Sequence, residues 1–196
     1  MIRWLYELCL KNRLNKLPHN ICFMLTEKDI ADAPDIPFLI TSWCCDLGIS
    51  AVIFHISTKN PANIEQYMNN IRKIATIARL VIHVDDKEEV SGDGMQVLIA
   101  IGMSGREEIT RCIREMAREG IDADMVDEHL IESYLTFQYE PDLVIKTGGD
   151  HLTDFLIWQS VYSELFFSDV NWKSFRKVDF LRALRDYQLR TRTLGK

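Results

Sequence analysis

Between Asp142 and Trp172 the chain carries its densest run of residues with chemistry to offer. Lys146-Thr147-Gly148-Gly149-Asp150 sets paired glycines next to a cation. After a strand and before a helix, such a turn lets backbone N–H groups approach a phosphate with no Cβ in the way. An anion, above all a phosphate, is therefore the ligand this run suits. Leu143-Val144-Ile145 reads as the strand, too short for a helix and β-rich. Thr153 or Asp154 is placed to cap the helix that follows. Phe155, Trp158 and Tyr162 recur at i, i+3 and i+7 and give that helix an aromatic face. Glu164-Leu165-Phe166-Phe167 then reads as another short strand.

The rest of the chain must position this run, and it does so by alternating strands with helices. Residues 1–14 read as an aromatic, apolar N-terminal helix that packs on the domain or lies at a membrane surface, with packing preferred for want of a cation-rich polar face. Strands are expected at 21–25, 51–56, 80–84 and 96–101. A helix after Pro34 and Pro37 ends near Gly48, a second repeats through Ile64, Met68, Ile71 and Ala75, and Asp85 to Gly94 reads as an acidic turn. Ser104 caps a helix to Glu119, and another covers Met125 to Leu135. With the two later strands this predicts one α/β domain over residues 1–196, its central, mostly parallel six-stranded sheet flanked by helices. Ligands of such sheets bind beyond the carboxyl ends of the strands.

Composition narrows the partners. A formal charge of −6 disfavours a general nucleic-acid binder. The charge is uneven, since residues 173–196 hold eight Lys or Arg against two Asp. Cys9, Cys22, Cys44, Cys45 and Cys112 show no metal-ligand spacing, and their odd count suits reduced thiols. His55 and His83 fall on or beside apolar strands and read as structural. No apolar run approaches the roughly 18 to 20 residues that span a bilayer, so the expected location is cytoplasmic, with peripheral membrane contact as an option.

The order strand, Lys146, Thr-Gly-Gly-acid-His, Phe-Leu-x-Trp-Gln, x-Tyr-x-Glu-Leu-x-Phe and Asp-Val-x-Trp resembles the C-terminal signature of the cis-prenyltransferases, the undecaprenyl diphosphate synthase family. The resemblance continues through Phe175, Asp179-Phe180, Ala183-Leu184 and Leu194-Gly195. It implies condensation of isopentenyl diphosphate with an allylic diphosphate, using magnesium held by an aspartate at the end of the first strand. Here Leu25 occupies the family's metal Asp position, within Met24-Leu25-Thr26-Glu27-Lys28. An isobutyl group offers a hard cation nothing. Only residues 57–79 separate the second strand from the third, room for one helix where family enzymes have a longer region lining the product tunnel. Lys146 stands for an Arg and Thr153 for a Ser, and Lys lacks the bidentate fork that grips a phosphate.

Those departures are similar to those of the family's non-catalytic, Nogo-B-receptor-like subunits. The resemblance then implies an accessory subunit of a heteromeric synthase of long-chain polyprenyl diphosphate, paired with a catalytic paralogue. No cofactor is expected in this subunit, and magnesium is expected in the partner. Residual diphosphate contacts are expected from Lys146, Thr153, Arg190, Arg192, Leu194 and Gly195, although Thr193 takes the place of the tail Arg. The subunit interface is expected at Phe155, Trp158, Tyr162, Glu164, Phe166 and Trp172, because aromatics at that density suit an interface core. Two alternatives stand beside this reading. One is an active homodimer with a metal carboxylate displaced to Glu27 or Asp29, and the other is a stand-alone polyprenyl phosphate-binding regulator.

Overall fold

Ile21 to Leu25 are apolar without interruption and none is more than 5% exposed, the pattern of a strand covered on both faces. The computed structural model describes residues 2–84, 87–102, 104–136, 139–148 and 156–190, with side chains from residue 5 onward. Helix α1 (Ile2–Asn12) precedes this strand, β1 (Asn20–Thr26), which leads through α2 (Glu27–Asp32) and α3 (Ile36–Cys45) to β2 (Ala51–Ser57). Gly48 closes the connection after α3 with φ +73, the left-handed turn expected of it.

The segment expected as one helix through Ile64 to Arg79 is instead a 3₁₀ turn (Pro61–Tyr67), a short α4 (Met68–Arg72) and a second 3₁₀ turn (Lys73–Thr76). It keeps the apolar period, since Ile64, Ile71 and Ile74 are fully buried. Next come β3 (Arg79–Val84) and β4 (Lys87–Ser91). The latter replaces part of the expected acidic turn. It pairs antiparallel with β3, and the Arg72 guanidinium fixes it through Glu89 at 2.9 and 2.8 Å. Polar residues hid this strand from any period-2 reading.

After β5 (Gln96–Ile101), α5 (Gly105–Glu119) begins at Ser104, whose hydroxyl makes no capping bond. The helix expected at 125–135 is a 3₁₀ turn (Ala123–Met125) followed by α6 (Glu128–Tyr134), capped by Asp127. The chain then enters β6 (Leu143–Thr147), β7 (Glu164–Ser168) and, past a 3₁₀ turn at Trp172–Ser174, α7 (Lys177–Leu189). Residues 157–162 are turns rather than the expected aromatic helix, and its proposed caps, Thr153 and Asp154, lie outside the described residues. The sheet has seven strands rather than six, in the order β4-β3-β5-β2-β1-β6-β7, parallel throughout except for β3–β4.

Alternation along the strands divides the core. Phe23, Leu25, Phe54, Ile56, Ile99 and Ile145 face α3, α4 and α7, where Trp172, Phe175 and Phe180 join them. Cys22, Met24, Ile53, Leu98, Ala100 and Val144 face the other way and meet Leu156. Trp172 ties the two ends of the chain together. Its ring lies 6.0 Å from that of Phe23, and its Nε1 donates to the Met24 carbonyl at 3.1 Å. Replacing Trp172 with Ala is expected to cost about 3–5 kcal/mol in urea denaturation, through the cavity it leaves. Trp172→Phe is expected to cost about 1–2 kcal/mol, because the Met24 carbonyl loses its donor.

Candidate functional site at the carboxyl ends of β1, β2 and β6

Strand β1 lies between β2 and β6, with Thr26 beside Ser57 and Met24 beside Lys146. The connection leaving β1 covers one face of the sheet, and the chain arriving at β6 comes from α5 and α6 on the other. Such a switch point opens a crevice at the carboxyl ends of its strands. Four stretches reach it: Thr26 to Asp29, Ser57 to Asn63, Lys146 to Gly148, and the start of the loop after β7.

At the position where the family resemblance places a metal aspartate, Leu25 is 1% exposed and belongs to the main core. The two nearby carboxylates are committed elsewhere. Asp29 accepts from the Thr26 N–H at 2.8 Å and from its hydroxyl at 2.7 Å, while the Asp29 N–H donates to Thr26 Oγ1 at 3.2 Å. This reciprocal capping box starts α2. Glu27 accepts from Thr58 Oγ1 at 2.7 Å and from Asn63 Nδ2 at 2.8 Å, which pins α2 to the connection after β2. Neither Thr58 nor Asn63 was marked by its sequence context, because both partners of Glu27 lie more than thirty residues away. Magnesium does not fit this set: the ligand position is apolar, and both carboxylates serve as hydrogen-bond acceptors for neighbouring side chains and backbone. Among the described residues no group of three or more His, Cys, Asp or Glu is arranged to hold a metal ion.

On the β6 side the expected anion site keeps part of its frame. Lys146 is half-buried at the strand end, and Gly148 adopts φ +71, a conformation that admits the turn without strain. The hydroxyl of Thr147 is buried without a hydrogen-bond partner among the described residues. The sequence reading passed over that group, and an unpaired buried hydroxyl beside a lysine and a glycine turn is what an anion acceptor would satisfy. Thr153, Arg192, Leu194 and Gly195 lie outside the described residues.

Arg190 is anchored away from this turn. It donates to Glu164 Oε2 at 3.1 Å, to the Leu165 carbonyl at 2.9 Å and to Asp186 Oδ2 at 2.7 Å. The guanidinium thus locks the end of α7 to β7, and Glu164 acts as its acceptor. Of the other expected interface residues, Tyr162 is 60% exposed, Trp158 packs on the Cys112, Met116 and Leu135 cluster, and Phe166 packs on the main core. Phe155 lies outside the described residues. Trp172 departs from expectation: at 1% exposure it belongs wholly to this chain's own core. Phe167 of β7, one of the aromatics in the run 155–172, is exposed as well, and so are Ile157 and Val161 in the turns before β7, which were not singled out.

Cysteine chemistry has no place in the crevice. Burial pushes the Cys22 thiol up to about 12 and the Cys44 thiol well above its ordinary value. Such thiols are inert at neutral pH.

A second concavity, of about 450 Å³, opens on the opposite face over Ile53, Val81 and Leu98, rimmed by Arg79, His83, Glu88 and Tyr139. His83 Nε2 lies 3.1 Å from Glu88, yet burial outweighs that carboxylate and holds the imidazole below its usual pKa. A folded-state pKa lowered in this way makes the unfolded chain bind more protons. Stability is then fully present above the unfolded value near ~6.5 and is lost as pH falls below it. His83→Gln is expected to flatten the decline of urea midpoints between about pH 7 and about pH 5. Asp29→Ala is expected to cost about 1 kcal/mol in the same assay, through loss of the capping box.

Residues 74–195 match the undecaprenyl diphosphate synthase family model of prenyltransferases. An isoprenyl transferase of Deinococcus radiodurans is 35% identical over 202 aligned positions, which take in 80% of this chain and 73% of that protein. That alignment is longer than the 196-residue chain itself, so the relative carries segments with no counterpart here. A tritrans,polycis-undecaprenyl-diphosphate synthase (geranylgeranyl-diphosphate specific) of Thermoplasma acidophilum is 37% identical over 145 positions, covering 70% of this chain and 56% of that one. The fold is that of a probable undecaprenyl diphosphate synthase from Campylobacter jejuni, with a TM-score of 0.70 at 20% identity over 93% of this chain and all of the other.

Proposed function

This chain belongs to the undecaprenyl diphosphate synthase family of prenyltransferases, the cis-prenyltransferases, and we propose that within it the chain is a non-catalytic accessory subunit. Its partner is a catalytic paralogue that holds magnesium, and the pair elongates an allylic diphosphate with isopentenyl diphosphate. The observation that carries this reading is Leu25, sealed in the core where the resemblance calls for a metal carboxylate, with Glu27 and Asp29 both engaged by other groups.

Two further features support it. Ile64, Met68, Ile71 and Ile74 share one buried cluster with Phe54, Ile56, Leu80 and Ile82, so side chains fill the region after β2 where the resemblance places a product tunnel. The turns before the edge strand β7 expose Val161 and Tyr162 at 66% and 60%, and β7 itself exposes Phe167 at 41%, aromatic and apolar surface suited to a partner subunit. Lys146 and the unpaired Thr147 hydroxyl leave a residual anion contact at the β6 end, which in the complex would face a diphosphate.

The deciding experiment measures isopentenyl diphosphate incorporation by this chain alone, by a paralogue retaining the first-strand aspartate, and by the two co-expressed. Incorporation is expected from the mixture well above the paralogue alone, and none from this chain. Glu27→Ala and Asp29→Ala are expected to leave the activity of the folded complex unchanged. Turnover by this chain alone, abolished by either substitution, would replace the accessory reading with that of an active homodimer.

A further inference from the structure

Helix α1 has two apolar faces. Leu10 and, just past its end, Leu14 turn inward and pack with Val178 and Leu181 of α7. The helical advance puts Leu5, Leu8 and Cys9 on the opposite side, where Leu5 is 54% exposed, Leu8 is 41% exposed and Cys9 is also open. A helix with one packed face ordinarily turns polar residues to water. Cations flank the outward strip on both sides. Lys11 lies along one flank and, with Leu8, Lys177, Leu181 and Glu7, lines a groove of about 210 Å³. On the other flank the Arg182 guanidinium sits 5.6 Å from the centre of the Tyr6 ring. Arg185, one turn further along α7, is exposed too.

We infer that this end of the molecule docks on an anionic lipid bilayer, with Leu5 and Leu8 in the boundary between headgroups and acyl chains and with Lys11, Arg182 and Arg185 among the phosphates. Three observations select that occupant. Apolar side chains flanked by cations are the pattern of a helix lying in the interface plane. The chain as a whole carries a formal charge of −6, so an anionic surface repels the acidic body and attracts this end, which sets one orientation. Two exposed leucines are also far short of the roughly 800 Å² per partner that a stable protein interface buries, whereas shallow insertion needs no more than a narrow strip. Among the described residues no helix is long and apolar enough to cross a membrane.

The test is co-sedimentation of the full chain, alone and in complex with its paralogue, with vesicles of phosphatidylcholine and with vesicles that also contain phosphatidylglycerol. Binding is expected only to the anionic vesicles and is expected to be released by salt. Leu5→Ser with Leu8→Ser, and separately Lys11→Gln with Arg185→Gln, are expected to lower the bound fraction about fivefold or more. Ile113→Ser, which removes an equally exposed apolar side chain from α5, is expected to change nothing. All these side chains are exposed, and circular dichroism identifies any variant that has lost its fold. Absence of binding to anionic vesicles, or equal binding by the Leu5/Leu8 variant, overturns the proposal. So does a drop in sedimenting mass of the lipid-free Leu5/Leu8 variant, which would assign the strip to a second copy of the chain. The assay contains no diphosphate substrate, so its outcome stands apart from that of the accessory-subunit reading.

Discussion

The indole of Trp172 reaches back across 148 residues to donate to the carbonyl of Met24, and the closed end of β1 depends on that contact. It joins the loop after β7 to β1, an interior strand of the mostly parallel sheet, where no local pairing brings these segments together. Phe23 stacks on Phe54 at 5.4 Å and meets Phe180 at 5.8 Å, so the same cluster fixes β2 and α7 against β1. With Leu25 next along the strand and also buried, the apolar core advances to the last turn before Thr26. The position where the resemblance places a metal carboxylate is here a packing position.

That role is supported on the polar side. Thr58 and Asn63 occupy Glu27, and Thr26 occupies Asp29, so the acidic groups nearest the strand end hold α2 in place. Bonds of this kind are worth about 1 kcal/mol each, and here they go to local order at the start of α2. On the β6 side Gly148 takes a left-handed φ and the Thr147 hydroxyl has no hydrogen-bond partner among the described residues.

Strands buried on both faces were legible because uninterrupted runs such as Val52 to Ile56 have no other comfortable environment. Strand β4 was not, since Lys87, Glu88 and Glu89 belong to an edge, where one side of the ladder meets water and the apolar pattern disappears. The segment after β2 carried helical spacing but little length, and packing broke it into 3₁₀ turns while keeping its isoleucines inward. Aromatic residues around 155–172 misled in a specific way. Their density suggested a surface, yet Trp172 belongs inside while Tyr162 stands outside, and composition holds no information on which way a side chain points. The apolar character of Leu25 could be read from the sequence alone, because carboxylate and isobutyl groups are not interchangeable. The long-range partners that occupy Glu27 and Asp186 could not, since they depend on which loops the fold brings together.

The two rims of the sheet are unlike. On one side β4 runs antiparallel to its neighbour and carries Lys87, Glu88 and Glu89, with Gly92 turning the chain back so tightly that a Cβ there would lie 2.3 Å from the Ala78 carbonyl. On the other, β7 continues the parallel register with two phenylalanines. A strand-to-strand contact can propagate without limit only when both rims accept a neighbour. Here one is guarded by charge, so any association through β7 would terminate after a single step, as a finite pair in place of a filament.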